Sequence, residues 1–132
     1  MQPVDTVQDQ EAVASVIVQL YRALGDRPAF DRHLHEAITI WESDAEGMLE
    51  GTAELDHLRD RRAAAAVGGP APVSVAPESI RVDVWGDTAV ARYLLKAVYD
   101  DVADDCFRVT DVLRRDDGRW LIVHHHSESH TG

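Results

Sequence analysis

Near the C-terminus three imidazoles in a row close an apolar stretch, Leu121-Ile122-Val123-His124-His125-His126-Ser127. Imidazole titrates close to neutrality, so a ring held in a pocket can take up or release a proton with little tuning. Two carboxylates also stand where strand alternation predicts oily side chains. Asp111 is in phase with Phe107, Val109 and Leu113, and Glu42 is in phase with Ile38 and Ile40, so each is carried to the inward face of its strand. Loss of water disfavours a charged carboxylate, which makes such a group either one half of an ion pair or an acid held neutral. For Asp111 the ion-pair reading would use Arg59 or Arg62; for Glu42 the plainer reading is a strand end turning polar as it meets solvent. Tyr21, on the apolar stripe of a helix, is either a core residue with its hydroxyl satisfied locally or a donor aimed at a ligand. Imidazole, carboxyl and phenol groups around one apolar volume are the parts of general acid–base chemistry.

Metal binding is the other chemistry to weigh. His124 and His126 share one side of a strand, about 6.6–6.8 Å apart at Cα, which lets both rings reach one zinc. No third ligand stands at a recognisable spacing, His130 being merely near in sequence. Histidines bonded across a subunit interface explain the pair better, and neither a metal nor any other cofactor is expected.

These groups need a scaffold. Val13, Val16, Ile17, Leu20, Tyr21 and Leu24 recur at helical spacing and predict a helix over 5–24, capped by Asp5 or Thr6 and stopped at Gly25. A short helix follows, with Pro28 in its first turn and Phe30 and Leu34 turned inward. Residues 38–42 alternate like a strand. Gly51-Thr52 opens a third helix through Leu55 and Leu58 to the alanines at 63–66, and Gly68-Gly69-Pro70 ends it. Within it, Arg59-Asp60-Arg61-Arg62 reads as a solvated face. The stretch 67–77, rich in Gly, Pro and Ala, is a flexible loop. Four strands follow at 79–85, 88–99, 106–115 and 119–127, with tight turns at Gly86-Asp87 and Asp116-Asp117-Gly118. A loosely held tail, 129–132, remains.

Helices first and strands afterwards define the α+β class, with the N-terminal helices packed on one face of a curved, mainly antiparallel sheet. In the 88–99 strand the inner face is Ala89, Ala91, Tyr93, Leu95 and Ala97, and its three alanines leave room for a cavity. In the last strand both faces, Trp120-Ile122-His124-His126 and Leu121-Val123-His125-Ser127, begin apolar and end polar. A strand covered on both sides shows that pattern, the outer cover being a second subunit of a homodimer.

Composition bounds the rest. A chain of 132 residues with 45% hydrophobic content fits one domain across 1–132. Thirteen basic against 24 acidic residues leave a net charge of -11, which repels phosphate backbones and anionic lipid, so neither nucleic acid nor membrane is an expected partner. Cys106 is the only cysteine, which suits a reducing, cytoplasmic setting. The N-terminus has no basic region or long apolar run, so neither a signal peptide nor a membrane span is predicted.

Four segments, Tyr21-Arg22-Ala23-Leu24-Gly25-Asp26, Ile38-Thr39-Ile40-Trp41-Glu42, Gly86-Asp87-Thr88-Ala89 and the strand from Gly118 to Ser127, carry a family resemblance in their order and spacing. From about Gln8 to Ser127 the chain resembles the nuclear transport factor 2-like superfamily, above all its SnoaL-like and ketosteroid-isomerase-like branch. The ending Val123-His124-His125-His126-Ser127 also resembles the association domain of calmodulin-dependent kinase II. The resemblance implies a cone-shaped α+β fold with a mostly apolar pocket at its open end. Ketosteroid isomerases use a tyrosine from the first helix, an acid from the first strand and a protonated aspartate from a later strand, and Tyr21, Glu42 and Asp111 fall at about those places. It further implies that Leu121, Val123, His125 and Ser127 look into the cone. Glu42 departs from the pattern by replacing an aspartate, and His125 by replacing a small apolar residue. Ser127 stands where an association domain has a pocket arginine.

The function these implications favour is isomerase- or cyclase-like proton transfer on a small, mostly apolar carbonyl compound. Glu42 would take a proton beside the carbonyl, with His125 as the alternative base. Tyr21 and a neutral Asp111 would donate hydrogen bonds to the developing enolate, since an apolar site can keep a carboxylic acid protonated at neutral pH. Trp41, Tyr93, Val123 and Ser127 would line the pocket. The competing reading is a non-catalytic ligand-binding or dimeric assembly module.

Overall fold

Apolar residues spaced along one stripe make α1 (Pro3–Arg22) a packing helix, burying Val13, Ile17, Leu20 and Tyr21. It begins before Asp5 and Thr6, the caps read from the sequence, and the chain turns at Gly25, whose φ of 92° glycine adopts without strain. The computed structural model describes residues 3–42, 45–66, 69 and 71–130. In the short α2 (Arg27–Asp31) the Asp26 side chain accepts a hydrogen bond from the Ala29 backbone N–H at 3.2 Å, and Pro28 occupies the first turn. Leu34 does not belong to α2; it opens β1 (Leu34–Glu42), which is longer than the alternation at 38–42 suggests.

A two-residue strand, β2 (Leu49–Glu50), leads into α3 (Gly51–Ala65), which buries Leu55 and Leu58. β3 (Ser74–Trp85) starts inside the stretch read as a loop, of which residues 67, 68 and 70 lie outside the described residues. β4 (Thr88–Val98), β5 (Asp105–Asp116) and β6 (Arg119–Ser129) complete the chain. β6 runs through Ser129, and the His130 N–H donates to the Cys106 carbonyl at 2.8 Å, so the tail up to that point is held. Asp117 and Gly118, with φ of 50° and 76°, form the tight β5–β6 turn.

The strands form one six-stranded sheet in the order β2-β1-β6-β5-β4-β3. Every neighbouring pair is antiparallel except β1–β6, which run parallel, so the first long strand lies beside the last. Irregularities in register at residues 78–81 of β3 and at Val123 of β6 are of the kind that bend and twist a sheet. Cross-strand partners share a face: Ala89 with Leu113, Ala91 with Asp111, Tyr93 with Val109, and Leu95 with Phe107. The alanines do not roof a cavity. Ala89 and Ala91 are fully buried in one cluster with Val13 and Ile17 of α1, and the open volume lies further along the sheet, at Leu95 and Phe107.

The last strand resolves its two-faced pattern through a bulge. Leu113 pairs with Ile122 and Val112 with His124, which leaves Val123 as an extra residue. Trp120 and Ile122 are buried before the bulge, and His125 and Ser127 sit opposite the inward Asp111 and Val109 after it. The inward set is therefore Trp120, Ile122, His125 and Ser127, and the expectation that Leu121 and Val123 share the face of His125 is corrected. Regular alternation fails here because one residue steps out of phase.

Candidate functional site

A cavity of about 670 Å³ opens between the helices and the concave face of the sheet. Leu20, Leu24, Phe30, Leu55, Leu95 and Phe107 make much of its wall apolar, while Glu42, Arg62, His125, Ser127 and Ser129 supply polar groups. An apolar volume with a few convergent polar side chains is the ordinary form of a small-molecule site.

The β5–β6 register sets Asp111 directly across from His125. The result is a 2.5 Å contact between His125 Nδ1 and Asp111 Oδ1. Asp111 is 0% exposed and does not reach the cavity surface. Its other oxygen, Oδ2, accepts the Tyr93 hydroxyl at 2.6 Å. Tyr93 is itself within 2.7 Å of the Tyr21 hydroxyl, their rings meeting edge to face with centroids 5.8 Å apart. With the Tyr93 proton committed to Asp111, Tyr21 is the donor in the tyrosine pair. Tyr21 and His125 line the cavity, whereas Tyr93 and Asp111 lie behind the wall. Burial first, and the nearby Asp111 carboxylate second, push both tyrosines above the ordinary phenol pKa of 10.0, so both remain hydroxyls.

On its cavity side His125 Nε2 lies 3.4 Å from Glu42 Oε1. Glu42 is also in an ion pair with Arg62 from α3. The arginine foreseen as a possible partner of Asp111 thus meets Glu42 instead, and Asp111 is satisfied by a phenol and an imidazole. Arg59 is held by both oxygens of Asp31 at 2.7 and 3.1 Å and stacks over Phe30, 5.2 Å from its ring centre. Asp60, Arg61 and Arg62 are exposed, as the reading of this cluster as a solvated face expects, but Arg59 is half-buried and both it and Arg62 line the cavity. Their spacing carried the signal: Leu55, Arg59 and Arg62 fall at i, i+4 and i+7, on one helical stripe.

Of the remaining expected lining residues, Ser127 lies on the wall, Tyr93 lies behind it, and Val123 is absent from it. Trp41 is on the opposite face of the sheet, 54% exposed, with its ring 6.2 Å from that of His126. His124 Nδ1 is 2.7 Å from the Thr39 hydroxyl within the same chain, and burial together with the adjacent His125 and His126 lowers its pKa from the ordinary 6.5. Among the described residues no group of three or more His, Cys, Asp or Glu side chains is placed to hold a metal ion. No helix among them is long and apolar enough to cross a membrane.

N-terminal helices packed on an open, curved, mostly antiparallel sheet, with a cavity between them, define the class of α+β fold. The chain belongs to the SnoaL-like domain family, whose profile matches residues 13–129. No curated protein matches the sequence. Among solved structures, it is similar to an NTF2-like protein of unknown function from Pseudomonas putida KT2440, with 18% identity, a TM-score of 0.79 and coverage of 96% of this chain and 89% of that one. The association domain of C. elegans CaMKII is 20% identical with a TM-score of 0.78 over 93% of this chain and 97% of that one. A ketosteroid isomerase-like protein from Erwinia carotovora atroseptica is 12% identical with a TM-score of 0.71, covering 94% and 98%. At these identities the likeness establishes the NTF2-like fold and no more, since fold does not fix function.

Proposed function

We propose that the chain binds a small, mostly apolar carbonyl compound and catalyses proton transfer on it, with His125 as the general base. The observation that carries this reading is the His125–Asp111 pair at the cavity wall, 2.5 Å between Nδ1 and Oδ1. An imidazole whose Nδ1–H is held by a buried carboxylate keeps one tautomer and one orientation, leaving Nε2 as the basic atom. Glu42, 3.4 Å from Nε2, favours the imidazolium that forms, and its own charge is shared with Arg62. Tyr21 is the donor for the developing enolate oxygen. Asp111 acts behind the wall, on His125 and Tyr93, rather than on the ligand. Isomerisation, aldol-type cyclisation and dehydration all begin with this abstraction, and general base assistance is worth about 10²–10⁴-fold. The single cysteine supports a cytoplasmic setting.

The test is incorporation of solvent deuterium next to the carbonyl in a panel of apolar cyclic ketones, followed by NMR. The wild-type protein is expected to exchange the α position faster than buffer, and His125→Gln to lose about 10²-fold or more of that rate. Equal exchange by the two proteins would sink the reading.

A homodimer through the outer sheet face is part of the same proposal, supported by the exposed Trp41 beside His126. Sedimentation velocity is expected to give a dimer for the wild type and a monomer for Trp41→Lys; a monomeric wild type would remove the dimer and leave the pocket reading intact.

A further inference from the structure

Two cavity-wall groups, Tyr21 and His125, are joined behind the wall by residues that do not line the cavity. The connection runs from Tyr21 to Tyr93 at 2.7 Å, from Tyr93 to Asp111 Oδ2 at 2.6 Å, and from Asp111 Oδ1 to His125 Nδ1 at 2.5 Å. The path is sealed: Asp111 is 0%, Tyr93 4% and Tyr21 8% exposed. No buried side-chain polar atom among the described residues lacks a hydrogen-bond partner. All three donors therefore point toward one carboxylate, and in that state the Tyr21 proton is turned away from the cavity. An enolate oxygen needs that proton as a hydrogen-bond donor, but only once the base has acted.

We infer that Tyr93 and Asp111 are positioning residues that couple the two wall groups, so that proton uptake by His125 frees the Tyr21 hydroxyl to donate into the cavity. The step balances within the site. The C–H bond beside the carbonyl breaks, its proton moves to His125 Nε2, and the electron pair passes to the carbonyl oxygen. Asp111 then faces an imidazolium, whose charge offsets its own, and its pull on the Tyr93 hydroxyl weakens. The hold of Tyr93 on Tyr21 weakens with it, because linked hydrogen bonds polarise one another in a low-dielectric interior. Tyr21 swings its O–H to the new oxyanion as a hydrogen bond, with no net gain or loss of protons. The inference rests on the proposed role of His125 as base.

Coupling of this kind is reciprocal. If protonation of His125 weakens the tyrosine bonds, removing those bonds must raise the proton affinity of the His125–Asp111 pair. The groups facing His125 are Asp111 from β5, Glu42 from β1, with Arg62 of α3 behind it, and His124 and His126 on its own strand. None of these changes in a tyrosine substitution. The experiment is a ¹⁵N NMR titration of His125 in the full chain. Tyr93→Phe is expected to raise the midpoint by about one pH unit, or tenfold in the equilibrium. Tyr21→Phe, which touches neither His125 nor Asp111, is expected to raise it by about 0.3 unit, or twofold. Replacing Tyr21 with 3-fluorotyrosine, a stronger donor that keeps the ring, should shift it the other way, which keeps the test available if Tyr93→Phe does not fold. A His125 midpoint unmoved by both changes at Tyr21 overturns the coupling. Retention of deuterium exchange by His125→Gln would instead overturn the base assignment, and the titration result would stand apart from it.

Discussion

Asp111 is the residue on which the site turns, since two donors converge on it and it is fully buried. A carboxylate can accept from Tyr93 and from His125 at once, one bond per oxygen. An asparagine has one acceptor and one donor group, so Asp111→Asn must set an N–H against one of them. If Asp111 works as the anion that orients His125, this substitution is expected to slow deuterium exchange by about 10²-fold or more and to cost about 1–3 kcal/mol of stability for the frustrated bond. If Asp111 is instead a neutral acid, asparagine copies its one donor and one acceptor, and both losses become mild. Urea unfolding and exchange rates on the same preparation separate the two. A stable, active variant would remove the orienting role.

At the scale of elements, a single extra residue lies between the core and the site. Val123 shifts the phase of β6 so that Ile122 and His125 both face inward. Strict alternation through the whole of β6 would put Ile122 and His125 on opposite faces, and the extra residue is what reconciles them. Deleting Val123 closes the ladder between the Leu113–Ile122 and Val112–His124 pairs and leaves Ile122 and His125 both inward. The deletion variant is therefore expected to fold and to keep the coupling between His125 and Asp111 in a ¹⁵N NMR spectrum. A folded variant that has lost the wild-type His125 signal would show that the ladder pairing does not set the phase. The same device marks the boundary of what could be read from sequence. The inward phases of β4, β5 and β1 follow from plain alternation, and with them the positions of Tyr93, Asp111 and Glu42. A bulge leaves no such trace: the last strand looks equally apolar on both faces because half of each face is inward. Arg59 and Arg62 were legible by helical phase, yet their flanking charges suggest a solvated surface. The parallel β1–β6 pairing, which brings Glu42 to His125, is a long-range contact that no local pattern encodes.

For the whole molecule, the buried tyrosine pair links stability to alkaline pH. Tyr21 and Tyr93 are held above the ordinary pKa of 10.0 by burial and by Asp111, whereas in the unfolded chain each should titrate near about 10. Above that value the unfolded state has released protons that the folded state still binds. Stability contributed by these groups is therefore fully present below about pH 10 and falls as pH rises beyond it. With two such groups the slope approaches about 2.7 kcal/mol per pH unit. On the acid side His33 and His124 are lowered from 6.5, mainly by burial. The unfolded chain takes up their protons first, so their contribution is lost as pH drops below about 6.5. The two effects frame a plateau of stability between neutrality and about pH 10. Urea unfolding in steps from about pH 8 to about pH 11 should give a flat free energy followed by a steep decline. Tyr21→Phe removes one titrating group, so the decline should become about half as steep, even though the variant starts from a lower plateau by about 1 kcal/mol for its lost hydrogen bond. A wild-type free energy that stays flat through about pH 11 would mean that the tyrosines ionise in the folded chain. The sealed connection between Tyr21 and Asp111 could not then exist, because a phenolate beside a buried carboxylate would break it.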